Sequence, residues 1–400
     1  MPQQPLTEKQ RAEALQEWWD NFPYGTMSQR QEAIYKFEQE FGPFTEAEKR
    51  KAMFRWSPED KARVGIPKWF LAPTDLGEQA ALKLCEQLLD DRHYDLLVDE
   101  AGIVETPDFE PLAVLFKKRL PQDLLDAVRP IVRKAAHRKV AGGRRGVAAG
   151  TGMQPRRNKD GSVGKVTGVP SAEDLNDEDY RRIYPAMDGT FGFLDRTIGG
   201  GQVYPCRLTM YDGALPEELA LMSYLAKAVA EVFQQSAMSM EWEAQFKKAS
   251  QTPLAFLIRT PEGHTPFTTI TCNKSFRTAA HVDANDLKEG FGVLCCLGDF
   301  EGCDLVFPRY RTAVRYREGD VLLANVHQVH GNTPLLNPDG SEPKLGREPE
   351  RLVCVFYYRE KMDQCESTIE KEHEFINSRE KGDKMRKGKA KAKAKAAGKK

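Results

Sequence analysis

The chain has 400 residues, 40% of them apolar, which suffices for two domains or one large elaborated domain. Its 59 basic and 59 acidic residues cancel, but unevenly: the last twenty residues hold ten Lys and Arg and one Asp, leaving 49 basic against 58 acidic in the other 380. No apolar run is long enough to cross a bilayer and no secretory signal opens the chain, so the expectation is an intracellular protein, nuclear in a eukaryote and cytoplasmic in a phage or bacterium.

Residues 1–92 read as a helical region. Thr7 to Gln10, Ser28 to Gln31 and Thr45 to Glu48 fit capping boxes, and Ser57 with Pro58 reads as a cap followed by proline at the first helical position. The aromatic residues here, Trp18, Phe37, Phe44 and Trp69 among them, suit a small helical core or a coat on a larger body better than a base-stacking surface. A new unit is expected from residue 93, with short strands at Leu96, Gly102 and Leu112 and a helix from Leu120. From Arg133 to Lys165 ten basic residues face one acid, inside a glycine-rich stretch (133–175) that reads as a loop. Tyr184 to Gly201 reads as irregular, Cys206 to Met210 as a strand, and Pro216 to Gln235 as a helix whose Leu221, Leu225, Val229 and Val232 make a packing stripe. The eight cysteines include no C-x-x-C pair and several lie in apolar runs, so they read as buried free thiols.

The informative stretch runs from Thr268 to Arg359. Alternate side chains of a strand share a face, so His281 and Asp283 point the same way and can hold one metal ion, with His330 on a later strand as third ligand. His327 is the rival for that place. His-x-Asp alone is weak, but apolar runs from Phe291 to Leu297 and Val321 to Ala324 put both histidines among core strands. Two histidines and one carboxylate leave three open positions on an octahedral ion, as in non-haem Fe(II) oxygenases. Arg351 then opens an apolar strand, Leu352 to Tyr358, on the face of Val353, Val355 and Tyr357. A buried guanidinium needs a mate, and a carboxylate cosubstrate offers two parallel hydrogen bonds. Together these features read as Fe(II) plus 2-oxoglutarate. Asn273 on the preceding strand is a candidate to bond the same cosubstrate, and Arg277 is a candidate for either a carboxylate or a DNA phosphate.

The segments Phe267 to Asn273, Phe276 to Asp283, Gly290-Phe-Gly, Phe307-Pro, Gly319-Asp-Val-Leu, His330-Gly-Asn-Thr-Pro-Leu and Arg351 to Glu360 resemble the TET/JBP dioxygenases, nearer the base-J-binding branch than the animal TET branch. The resemblance is close over about 265–360, looser from about 100, and does not reach the first hundred residues. It implies an α+β fold with a double-stranded β-helix (jelly-roll) core and flanking helices, occupying 93–370. It also implies oxidation of the 5-methyl group of a pyrimidine in DNA, using Fe(II), 2-oxoglutarate and O2, with the base flipped out of the duplex. The His-Gly-Asn-Thr-Pro run matches the family's distal ligand position, which favours His330 and leaves His327 to orient the site. Asp286 matches a position that contacts the flipped base and Tyr357 an aromatic that stacks on it. Arg359 stands where cytosine-oxidising members carry histidine, so 5-methylcytosine and thymine both stay open. Arg144, Arg145, Arg156 and Arg157 in the basic stretch would contact phosphates, and the Lys/Ala-rich tail (371–400) would tether the protein to DNA. The alternatives are a 2-oxoglutarate oxygenase acting on a protein or small molecule, and a catalytically silent DNA-binding barrel.

Overall fold

The computed structural model describes residues 7–20, 27–45, 48, 68–136, 148, 156–157, 163–164, 187–197, 203–208, 216–236, 238–344 and 347–364. The tail and Arg144 and Arg145 lie outside these residues. Arg156 and Arg157 lie in a two-residue strand whose side chains are likewise outside the description.

Helices α1 (Glu8–Asp20) and α2 (Met27–Phe41) form a small core of their own, in which Ile34, Phe37 and Phe44 are buried and the Trp18 ring packs 5.1 Å from that of Phe44. The capping boxes expected at Thr7 and Thr45 form: Thr7 N donates to Gln10 Oε1 at 3.0 Å, and Thr45 N to Glu48 Oε2 at 2.7 Å. Trp18, Phe37 and Phe44 are therefore packing residues.

The helical region does not run on to residue 92. Strand β1 (Lys68–Leu71) pairs in parallel with β3 (Gly102–Glu105), so the large sheet takes in the chain from Lys68. A four-residue edge strand carries too little alternation to be read from sequence. A short helix, α3 (Glu78–Leu82), follows, then β2 (Leu96–Val98) ahead of β3. Next come β4 (Pro111–Phe116), α4 (Gln122–Ala135), β5 (Met187–Thr197), β6 (Val203–Leu208), α5 (Pro216–Gln234) and α6 (Ser239–Gln251). The last third adds β7 (Thr269–Lys274), β8 (Gly292–Leu297), β9 (Leu305–Phe307), β10 (Thr312–Val314), β11 (Val321–Ala324), β12 (Gly331–Asn332) and β13 (Leu352–Tyr357). Nine strands form one sheet in the order β1-β3-β4-β11-β8-β13-β7-β5-β6, and four form another, β12-β9-β10-β2.

Strand alternation divides the core in two. Val293, Cys295, Leu352, Cys354, Phe356, Ile270 and Cys272 point from the large sheet toward α4 and α5, where they meet Leu125, Val128, Leu225, Val229 and Phe233. The stripe on α5 thus packs against the sheet. Leu294, Cys296, Val353 and Leu322 point the other way and pack against Leu305, Phe307 and Val314 of the smaller sheet. The candidate site residues Asn273, Arg351 and Tyr357 share this second face. Six cysteines in the described residues are free, and five of them are buried. Cys272 and Cys354 are register partners whose sulfurs sit 3.9 Å apart, well beyond a disulfide bond.

Two further expectations are corrected. Arg133 and Lys134 belong to the last turn of α4 and pair with Glu350 at 2.6 Å and Glu218 at 2.7 Å, so the basic loop does not begin at 133. The stretch read as irregular contains β5, eleven residues long, which pairs with β7 and β6. Its glycines hid it, since they break the apolar pattern, yet close approach requires them. A Cβ on Gly189 would lie 2.3 Å from the Ala135 carbonyl oxygen, and Gly192 has φ +86° with Thr268 O equally near.

Because backbone cannot yield as a flexible side chain can, Gly189→Ala is expected to destabilise the fold by about 1–3 kcal/mol. Thermal unfolding checks this, and an unchanged midpoint would show that β5 does not press against α4.

Candidate functional site

A cavity of about 450 Å³ opens between the two sheets. His281 and His330 exchange both backbone hydrogen bonds, His281 N to His330 O at 2.8 Å and His330 N to His281 O at 2.9 Å. His281 sits in this isolated bridge, not in the regular strand expected from sequence. The chain stays extended enough for His281 and Asp283 to face one point.

The imidazole of His281 has Nδ1 2.8 Å from Ala279 O, and that of His330 has Nδ1 2.9 Å from Gln328 O. A carbonyl only accepts, so Nδ1 carries the proton in each ring and Nε2 keeps its lone pair. The two Nε2 atoms lie 3.6 and 3.7 Å from the Asp283 carboxylate oxygens. Burial, and then the neighbouring His281, lower the His330 pKa to about 4, so the ring is neutral at pH 7 and ready to ligate. Among the described residues these three form the one group whose donor atoms, all within 4.8 Å of one another, suit a metal ion. His327 is not in it: its Nε2 lies 2.8 Å from Leu287 O, where it ties down the segment that follows Asp283.

One side of β13 runs along the cavity, presenting Arg351, Val353, Val355 and Tyr357, as alternation predicts, with Arg359 beyond them. Six residues separate Arg351 from Tyr357, roughly 20 Å at about 3.3 Å per residue, so the two mark opposite ends. At the first end Arg351 is 3% exposed. Its Nη2 donates to Tyr316 Oη at 2.7 Å and its Nη1 to Phe276 O at 3.4 Å, while Nε is buried without a partner. Asn273 Oδ1 is likewise buried and unpartnered. No carboxylate among the described residues pairs with Arg351. Arg277 does not line the cavity, because its guanidinium donates to Leu89 O and Asn332 O and burial lowers its pKa.

At the other end Asp286 and Arg359 are partners in an antiparallel bridge, and Asp286 is 8% exposed. Leu287 N donates to Tyr358 O at 2.9 Å, and Glu360 N to Asn285 O at 3.0 Å, stitching the segment after Asp283 to the end of β13. The Tyr357 hydroxyl lies 3.0 Å from Thr271 Oγ1. Thr271, Tyr316 and Ala148 also line the cavity, and none of the three was singled out from the sequence as a site residue. Ala148, from the middle of the basic stretch, accepts a hydrogen bond from Ala279 N at 2.7 Å.

Residues 201–360 match the Tet_JBP family, the oxygenase domain of the 2OGFeDO superfamily. The chain is similar to thymine dioxygenase JBP1-B of Trypanosoma cruzi (strain CL Brener), 38% identical over 118 residues, 29% of this chain and 14% of that protein. It is also similar to the bifunctional helicase and thymine dioxygenase JBP2 of Leishmania infantum, 35% identical over 156 residues, 39% of this chain and 13% of that protein. The matches therefore span a small part of those relatives' length. Among solved structures, NgTET1 in complex with 5mC DNA aligns at a TM-score of 0.46 and 11% identity, covering 80% of this chain and 94% of that one.

Asp283→Ala removes the one anionic donor of the group. It is expected to weaken Mn(II) binding by more than the roughly 10–100-fold that loss of an outer partner costs, with the fold retained. Metal titration of the purified variant checks this, and wild-type affinity would remove Asp283 from the site.

Proposed function

We propose, from the match of residues 201–360 to the oxygenase domain of the 2OGFeDO superfamily, that the protein is an Fe(II)- and 2-oxoglutarate-dependent dioxygenase that hydroxylates the 5-methyl group of a pyrimidine in DNA. The observation that carries the reading is the buried, unmated Arg351 in the same cavity as the His281, Asp283 and His330 group. The residues fit the cofactors: two imidazoles and a carboxylate suit Fe(II) and leave three positions open, and the buried, unpartnered Arg351 Nε–H is a donor that a carboxylate oxygen would satisfy. When bound, Fe(II) and 2-oxoglutarate supply the oxidising chemistry, consuming O2 and converting the cosubstrate to succinate and CO2 as a methyl C–H is hydroxylated.

The chain's own residues do the rest. Arg351 would hold the distal carboxylate of 2-oxoglutarate, and Asn273, on β7, would donate to the cosubstrate through Nδ2. Leu294, Leu305, Val326, Val353 and Val355 line the middle of the cavity and exclude water. A methyl group inside a duplex is out of reach, so the base enters flipped, with Tyr357 against its face and Asp286 and Arg359 at its edge. A volume of about 450 Å³ falls in the range of pockets that enclose small molecules. The names of the relatives make thymine the first substrate to test and 5-methylcytosine the second. The same carboxylate at Asp286 can accept from thymine N3–H or from the cytosine amino group. Arg144, Arg145, Arg156 and Arg157 would hold phosphates, and the basic tail would tether DNA. No helix among the described residues is long and apolar enough to cross a membrane.

Mass spectrometry of nucleosides after incubation with thymine-only and with 5-methylcytosine-bearing DNA tests the reading; no oxidised base from either would sink it. Asp286→Asn replaces an acceptor-only carboxylate, and loss of a charge-assisted bond is expected to lower methyl oxidation about ten- to a hundredfold. Succinate formed without DNA should persist in that variant. Parallel loss of succinate and oxidised base would make Asp286 a support of the metal site instead. Deleting 381–400 removes ten basic residues and one acid and is expected to weaken DNA binding with a shallower salt dependence. An unchanged salt slope would mean that the tail does not touch DNA.

A further inference from the structure

We propose that Gln328 is a positioning residue for the metal ligand His330, and that Arg309 and Asp75 hold it in place, so that a segment far ahead of the matched oxygenase region supports the metal centre. The inference rests on the metal reading of His281, Asp283 and His330 and deepens it. The carbonyl that accepts from His330 Nδ1, at 2.9 Å, belongs to Gln328. It can fix the imidazole only as firmly as Gln328 itself is held. Gln328 N donates to Asn325 O at 3.1 Å, closing the turn that follows β11. Its side-chain Oε1 accepts from Arg309 Nη1 at 3.3 Å and from Tyr310 Oη at 3.4 Å. Each of these two bonds is long and weak alone. Together they bring two donors to one oxygen, so the residue is anchored by its backbone on one side and its side chain on the other.

Arg309 and Tyr310 lie in one short helical turn, Pro308–Tyr310, between β9 and β10. Asp75 takes two donors of the Arg309 fork, Nε and Nη2, at 2.7 Å each. A bidentate pair fixes the plane of a guanidinium, and here it aims Nη1 at Gln328. Asp75 is tied down in turn: Gly77 N donates to its Oδ1 at 2.7 Å, and Leu76 N donates to Arg309 O at 2.9 Å. The chain that follows reaches both metal-ligand segments. Ala81 of α3 packs in one apolar cluster with Val329, the residue between Gln328 and His330. Glu86 N donates to Ala280 O at 2.7 Å and Ala280 N to Gln87 O at 2.8 Å, beside His281. These residues precede position 201, where the family match begins. Asp75, Arg309, Tyr310 and Gln328 do not line the cavity, so any effect they have on the metal runs through His330.

The test is Mn(II) binding by calorimetry on the full chain without cosubstrate. Gln328→Leu removes the side-chain acceptor and is expected to weaken Mn(II) about tenfold, the low end of what loss of a ligand's outer partner costs. Gln328→Glu keeps an acceptor oxygen and is expected to stay within about twofold of wild type. Arg309→Lys keeps a cation for Asp75 but loses the fork, and is expected to match Gln328→Leu. Because both residues act through one strut, the double variant should lose about tenfold and not about a hundredfold. The visible absorption of the Co(II)-loaded protein reports ligand geometry. Its bands should shift in Gln328→Leu and keep their wild-type positions in Gln328→Glu, which a general loosening of the fold would not produce. Wild-type affinity in Gln328→Leu or Arg309→Lys, equal losses in Gln328→Leu and Gln328→Glu, or multiplied losses in the double variant would overturn the assignment while leaving the functional reading intact. Wild-type protein that binds no Mn(II) would overturn both.

Discussion

The mutual backbone hydrogen bonds of His281 and His330, at 2.8 and 2.9 Å, organise the site. They join two segments 49 residues apart in the chain, so neither imidazole can shift without the other. Each ring is then locked by its own Nδ1 contact to a carbonyl two residues earlier in the chain. The geometry of three donors is thus built largely from backbone, which is stiffer than any side-chain network of the same size. Asp283 inherits its position from the same bridge, since its N donates to Val326 O at 3.1 Å and it follows His281 by two residues.

From that fixed point the large sheet sets out the rest. Strand β13 lies between β7 and β8, near the middle of the sheet, where both edges are hydrogen-bonded. Its cavity face carries a cation at one end, apolar residues in the middle and an aromatic at the other end. The opposite face, Leu352, Cys354 and Phe356, is clamped by the helical layer. A strand held on both edges and on one face can present side chains at its other face with little freedom, as a site that must align two ligands requires.

Arg351 is the costly element of this design. A buried guanidinium bonded to one phenol and one carbonyl has not recovered what it lost in leaving water. On the proposed function, an entering carboxylate would offset the deficit and link cosubstrate binding to stability through the same residue. The sulfur-rich layer behind it, with Cys272, Cys295 and Cys354 in adjacent register, is packing: all three are buried and free.

What the sequence by itself determined is local and periodic. Alternation along β13 is enough to align Arg351 with Val353, Val355 and Tyr357, because a strand's period of two is a property of the backbone. The spacing of His281 and Asp283 holds for the same reason, even though the segment is a single bridge and not a strand. The helix Pro216–Gln234 and its packing stripe were legible from spacing alone. Tertiary structure decided the contacts made across distance. Strand β5, broken by glycines that make room for Ala135 and Thr268, exists because β7 pairs with it. β1 exists because β3 lies beside it. Arg277 resembles a ligand-binding cation in sequence, yet the carbonyls of Leu89 and Asn332 claim it. Tyr316, with no motif around it, reaches Arg351 only when β10 and β13 are folded against each other. A hydrogen bond between residues 35 apart leaves no periodic trace in either segment, so only the folded chain reveals it.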